Sequence, residues 1–217
     1  MMRVLDDWAP GALVPIYRLD QMMAKQQQVV IVGGGVIGLL TAFNLATQGQ
    51  AVILLERAGV GQESSWAGGG IVSPLYPWRY SPAVTALAHW SQDFYPQLAE
   101  RLFAATGVDP EVHTTGLYWL DLDDETEALE WAAREGRPLS KVDVSAAHDA
   151  VPVLGRGYSQ AIYMANVANV RNPRLVKSLK AALLALPAVT VHEQCEVNGF
   201  ILDGGNVVGV DTAEGPI

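Results

Sequence analysis

The chain has 217 residues, 50% hydrophobic and 17% charged, enough to bury a sizeable core in one or two domains. A net charge of −9 with no Lys/Arg cluster along the sequence argues against nucleic acid or an anionic membrane surface as partners. A single cysteine excludes an internal disulfide, and no apolar run reaches the ~18 residues of a membrane span, so a soluble cytoplasmic enzyme is expected.

Residues 1–28 read as an added extension, disordered or untranslated. They lack the apolar core of a signal peptide, and Trp8, Pro10 and Pro15 interrupt any periodicity. Met22 or Met23 is the expected start, which N-terminal sequencing of the protein from its native cells would check.

The β-branched run Val29 to Val32 predicts a buried strand, the glycines Gly33, Gly35 and Gly38 a tight turn, and Leu39 to Thr47 an amphipathic helix. Gly33 suits the turn's backbone angles, Gly35 lets a pyrophosphate approach the main chain, and Gly38 lets the helix lie close to the strand. The unpaired N–H groups of the helix start then favour an anion by roughly 0.3–1 kcal/mol, more where solvent is partly excluded. Ala42 and Leu45 supply the packing face, Gly49 the stop, and Ala51 to Leu55 a second strand ending in Glu56. An acid there suits a bidentate hydrogen bond to ribose hydroxyls and disfavours a 2′-phosphate. The alternative is a ligand-free βαβ unit.

A second small-residue loop, Gly61 to Ile71, follows directly. Ser64 and Ser65 can donate to phosphate or ribityl oxygens, and Gly68 to Gly70 leave room for a flat ring against main-chain N–H groups. Nicotinamide dehydrogenases seldom need such a loop; a plain surface turn is the other reading.

Val84, Leu87, Trp90, Phe94, Leu98 and Leu102 recur at helical spacing and predict a core-facing stripe on a helix that Pro96 must kink or split. Gly116 to Leu122 reads as a strand and Asp124 to Arg134 as a helix with an acidic start. The run Asp121, Asp123, Asp124, Glu125 reads as a solvated turn or helix start. Asn172 is expected to cap a helix beginning at Pro173, with Leu175, Val176, Leu179, Leu183 and Leu184 on its apolar side. Cys195 falls in an apparent strand as an inert buried thiol, and Gly199 to Ala213 forms a strand pair. His89, His113, His148 and His192 lack the spacing of a metal site, and no nucleophile motif is present.

The segments VVIVGGGVIGLLTAFNLATQGQAVILLER, GVGQESSWAGGGIVSPLYPWRY, TGVDPEVHTTGLYWL and ANVANVRNPRLVKSLKAAL resemble the FAD-dependent D-amino-acid oxidase and glycine oxidase family, most closely the bacterial glycine oxidases of thiamine biosynthesis. The resemblance implies an α/β fold: a Rossmann-like FAD-binding domain of the glutathione-reductase βαβ type, over 29–75 and 161–217, with an inserted α+β substrate domain at 76–160. It implies FAD contacts at Val36 and Ile37 in the first turn, Glu56 and Arg57 after the second strand, Ser64, Ser65, Gly69, Gly70 and Ile71 in the loop, and Val197 at the adenine. Ile71 to Ser73 would lie beside the flavin ring. Tyr76, Trp78 and Tyr80 would line its approach or simply fill the core.

The implied reaction is oxidation of glycine, by hydride transfer to flavin N5 with oxygen as acceptor, to glyoxylate, ammonia and hydrogen peroxide, or delivery of the imine to thiazole synthesis. Partners are then a small amino acid and oxygen, with a homo-oligomer compatible. The family's substrate-clamping arginine and tyrosine and its C-terminal FAD segments would fall beyond Ile217, so the C-terminal part is missing and no catalytic residue is assigned. A chain ending there leaves sheet edges and an apolar face uncovered, predicting aggregation or a partner, and points to a fragment of a longer enzyme. The rival readings are a nicotinamide dehydrogenase, another amine substrate (sarcosine, proline, a D-amino acid or a modified nucleoside), and a non-catalytic flavin-domain remnant.

Overall fold

The computed structural model describes residues 28–217, so the expectation for residues 1–28 lies, but for Gln28, outside the described residues. Strand β1 (Val29–Val32) leads through the glycine turn into helix α1 (Val36–Thr47), which starts one turn earlier than its apolar periodicity indicates. Gly49, at φ +88°, ends it and turns the chain into β2 (Val52–Leu55). A last parallel strand, Val189–His192 (β9 in chain order), completes a sheet of order β1-β2-β9, with Val29 beside Val52 and Val52 beside Val189. Sequential strands joined through helices give the parallel arrangement expected of a βαβ unit.

One face of this sheet is covered by α1 and by α6 (Asn172–Leu184), which pack on each other. Leu39, Ala42, Phe43, Leu54, Leu175, Leu179 and Leu183 form that core. The predicted apolar side of α6 holds except at Leu184, which is 60% exposed. Helix α6 begins one residue before its predicted start. Arg171 is its N-cap, and Asn172 makes no capping bond because its amide lies against the glycine loop instead.

Helix α3 (Pro82–Thr106) is a single 25-residue helix, not one split at Pro96. Leu98 and Leu102 beyond the proline are fully buried against the α1/α6 core, so packing holds a helix that lacks one N–H donor. The expected core stripe fails in the first half: Val84, Leu87 and Trp90 are exposed, Trp90 stacking on Phe94 at 4.9 Å, while Thr85 and Gln92 are buried. The helix outruns the layer it packs on, so its two halves bury different faces.

A second unit is an antiparallel sheet of β5 (Leu117–Leu120), β7 (Ala161–Met164) and β6 (Leu139–Val142), in order β5-β7-β6. Helix α4 (Glu125–Arg134) contributes Ala128 and Trp131 to its core, with Trp119, Ile162, Met164 and Trp78. Trp78 meets Trp119 edge-on at 5.4 Å, so it is a core residue; Tyr80 is half exposed. The acidic run between β5 and α4 is more than a solvated turn. Asp121, in left-handed conformation, accepts from Ser159 N–H, Ser159 O–H and Gln160 N–H, and Asp124 accepts from Trp78 Nε1 and, bidentately, from Arg79.

The Arg79 and Trp78 hydrogen bonds hold the Asp124 carboxyl at about 2, against an ordinary 3.8. Its contribution to stability is therefore fully present above about pH 4 and lost as pH falls through about 2. The stability difference between the natural chain and Asp124→Asn, measured by urea unfolding, is expected to shrink across that interval. A constant gap would show that the charge of Asp124 adds nothing.

Cys195 lies between β9 and β10 (Val197–Asp203), not within a strand; it is buried, and its N–H donates to the Glu56 carbonyl at 2.9 Å. β10 pairs with β11 (Asn206–Thr212) across Gly204 and Gly205, both at positive φ as a two-residue hairpin turn requires. Phe200, Leu202, Val207 and Val208 of this hairpin are exposed, and β1 and β9 form the two edges of the parallel sheet.

Candidate functional site

The C-terminal ends of β1 and β2 and the N-terminus of α1 converge, the usual place for a ligand in a parallel α/β sheet. Gly33 sits at φ +105°, and its N–H donates to the Leu55 carbonyl at 2.8 Å. A Cβ at Gly38 would overlap the Gly33 carbonyl oxygen, so that glycine sets how closely α1 follows the turn. Gly34 N–H donates to Glu56 Oε2 at 2.7 Å and Ala58 N–H to Oε1 at 2.8 Å, fixing the buried carboxylate at the end of β2.

A cavity of about 320 Å³ opens beside this turn, lined by Gly33, Gly35, Glu56, Arg57, Cys195 and Val197. Arg57 reaches across to Glu63 at 2.7 Å, and that hydrogen bond raises its already high pKa. A second cavity, about 350 Å³, is lined by Val36, Ser64, Ser65, Gly69, Gly70 and Ile71, with Tyr95 and Asn172. Gly35 borders the first and Val36 the second, so the two flank the first turn of α1. There the N–H groups of Ile37 and Gly38 have no intrahelical acceptor, and Val36 N–H donates to Ser65 Oγ at 2.9 Å.

The family model of FAD-dependent oxidoreductases (DAO) matches residues 28–217. The chain belongs to this family. It is 77% identical over 189 residues to a glycine oxidase of Pseudomonas putida, covering 87% of this chain and 52% of that protein. A glycine oxidase of Pseudomonas aeruginosa is 63% identical over 191 residues, with 88% and 52% covered. The crystal structure of glycine oxidase from Bacillus cereus superposes with a TM-score of 0.78 at 30% identity, covering 88% of this chain and 52% of that one. The chain thus spans about half the length of the relatives it matches.

The cradle suits the family's FAD. Ser65 Oγ already occupies the acceptor position at the α1 N-terminus where a phosphate oxygen would be held, and the Gly70 backbone is so close to Val170 that a Cβ there would overlap its carbonyl oxygen. Of the residues expected at the cofactor, Gly33, Gly35, Glu56, Arg57 and Val197 line the first cavity. Val36, Ser64, Ser65, Gly69, Gly70 and Ile71 line the second. Ile37 and Gly38 line neither: Ile37 is 74% exposed at the tip of α1, and Gly38 acts through packing.

Sequence reasoning missed Gly34, whose N–H orients Glu56, and Tyr95, which lines both the second cavity and an apolar one beyond Ile71. It also placed Asn172 only as a cap, although its amide faces Gly68 and Gly70. Asn172 follows the loop by about a hundred residues, so only tertiary structure joins them. Among the described residues, no three His, Cys, Asp or Glu side chains gather as a metal site, and no helix is long and apolar enough to cross a membrane.

Proposed function

We propose that this chain is the dinucleotide-binding half of a glycine oxidase that holds FAD along the two cavities flanking α1. The observations that carry this reading are 77% identity over 189 residues to the Pseudomonas putida glycine oxidase and the two cavities that meet at the glycine turn. Glu56 would take the ribose hydroxyls, the α1 N-terminus with Ser64 and Ser65 the diphosphate, and the Gly69–Ile71 backbone the ring end. Val197 would meet the adenine. FAD held there would supply a hydride acceptor for oxidation of the amine of glycine, with oxygen as final acceptor, the products being glyoxylate, ammonia and hydrogen peroxide. The resemblance further implies that the imine serves thiazole assembly in thiamine biosynthesis, in the cytoplasm.

The protein's share is positioning, since the redox chemistry belongs to the cofactor. Neither the second cavity nor the apolar one beside Ile71 has a cationic side chain in its wall. A substrate carboxylate would thus find no cationic partner in either wall. The chain incubated with FAD is expected to emerge from gel filtration with flavin absorption bands that do not bleach when glycine is added without oxygen. Bleaching would reveal a complete oxidase site and overturn the half-site reading. Absence of bands would overturn FAD retention by this chain.

A further inference from the structure

Four of the chain's 14 Lys and Arg residues, spaced three apart along the sequence, are gathered into one groove by the α6 helix. Arg171, Arg174, Lys177 and Lys180 form one wall, and the indole of Trp66, 57% exposed on helix α2 (Ser64–Ala67), forms the other; buried Val60 and Val176 make the floor. The groove encloses about 390 Å³. It adjoins the FAD cradle, with Val176 lining both, but opens on the other side of α2: Ser64 and Ser65 line the cradle, whereas Trp66 lines the groove.

The cations are oriented rather than splayed. Arg171 and Arg174 both reach the Glu111 carboxylate, at 3.3 and 2.9 Å, and Lys180 reaches Glu193 at 2.6 Å. Lys177, between these pairs, has no carboxylate within 4 Å among the described residues. Helix positions three apart are surface neighbours, so one anion can bridge Lys177 and Arg174. On a chain of net charge −9, a cationic wall facing an exposed indole across an apolar floor is a ligand-shaped arrangement.

We propose that the α2/α6 groove binds a small organic phosphate carrying a planar ring, the phosphate on Lys177 and Arg174 and the ring stacked on Trp66. A mononucleotide has this chemistry, and aromatic stacking is tolerant of the ring's identity. The ring contact favours a small ligand over an acidic polypeptide, which needs only the charges.

The test is calorimetric titration of the full chain, loaded with FAD and freed of unbound FAD by gel filtration so that the cradle is occupied and no free flavin competes for the groove, using uridine 5′-monophosphate as probe. Saturable binding is expected. Lys177→Glu should weaken it at least about tenfold, Arg174→Glu similarly, and Trp66→Ala by a smaller factor. Uridine and inorganic phosphate should each bind at least about tenfold more weakly than the nucleotide. Lys177→Glu is decisive, because Lys177 has no ion-pair partner among the described residues whose loss could disturb the fold, whereas Arg174 also donates to the Asp109 carbonyl. No saturation at millimolar nucleotide, or binding indifferent to Lys177→Glu, overturns the proposal. So does equal binding of inorganic phosphate, which would leave no ring contact. Binding of poly-glutamate without binding of the nucleotide also overturns it, in favour of an acidic polypeptide.

Discussion

Glu56→Ala is expected to give the largest loss of FAD binding of any single substitution in the cradle, about 100-fold or more, read as the FAD dissociation constant by fluorescence titration. Two effects combine. The carboxylate would supply charge-assisted hydrogen bonds to the ribose, each worth roughly 1.5–3 kcal/mol. It also accepts from Gly34 N–H and Ala58 N–H, and Gly34 is buried, so its orphaned donor costs about 1–3 kcal/mol of stability. A melting temperature lower by about 4–8 °C should accompany the lost affinity, as expected for about 2 kcal/mol in a chain of this size. Glu56→Gln keeps the shape and one acceptor oxygen and should fall between the two. If Glu56→Ala bound FAD as tightly as the natural chain, the ribose assignment would be wrong even if the melting temperature dropped.

A pair of glycine substitutions should separate fold from ligand. Gly38→Ala adds a methyl that overlaps the Gly33 carbonyl oxygen, so α1 must shift away from the turn. Overpacking costs about 1–3 kcal/mol, and the helix-propensity gain of alanine over glycine, about 1 kcal/mol, offsets only part of it. The expected result is a melting temperature lower by up to about 8 °C, with weakened FAD binding as a consequence. At Gly69 an added Cβ meets nothing within 4 Å, and the backbone is not in the left-handed region. Gly69→Ala should therefore melt like the natural chain while binding FAD at least about tenfold more weakly, because the methyl enters the cavity where the cofactor's ring end would lie. Undiminished FAD binding by Gly69→Ala would remove that cavity from the cofactor site.

The legible features share one property: their causes are local in the chain. The turn at Gly33 and the stop at Gly49 follow from φ values that favour glycine, and each occurs where the sequence places it; the strand pair predicted over Gly199 to Ala213 turns at Gly204 and Gly205. Strands β1 and β2 and helix α4 follow from apolar periodicity within a dozen residues. The α3 stripe misled because periodicity identifies a face without identifying what covers it. Val84, Leu87 and Trp90 have the spacing of Leu98 and Leu102 but lack a layer opposite them. Trp78 was open to two readings for the same reason, until Trp119 and Trp131 closed around it.

By itself, then, the sequence determined the strand–turn–helix unit, the acid ending the second strand and the serine-glycine loop after it, because these depend on backbone freedom and neighbouring side chains. Tertiary structure alone decided that Ser65 would cap α1, that Gly34 would orient Glu56, that Asn172 would face the loop, and that the cations of α6 would share a groove with Trp66. Each of those joins residues from separate elements. Their proximity depends on how layers pack, a property of the whole burial pattern that no short window of residues contains.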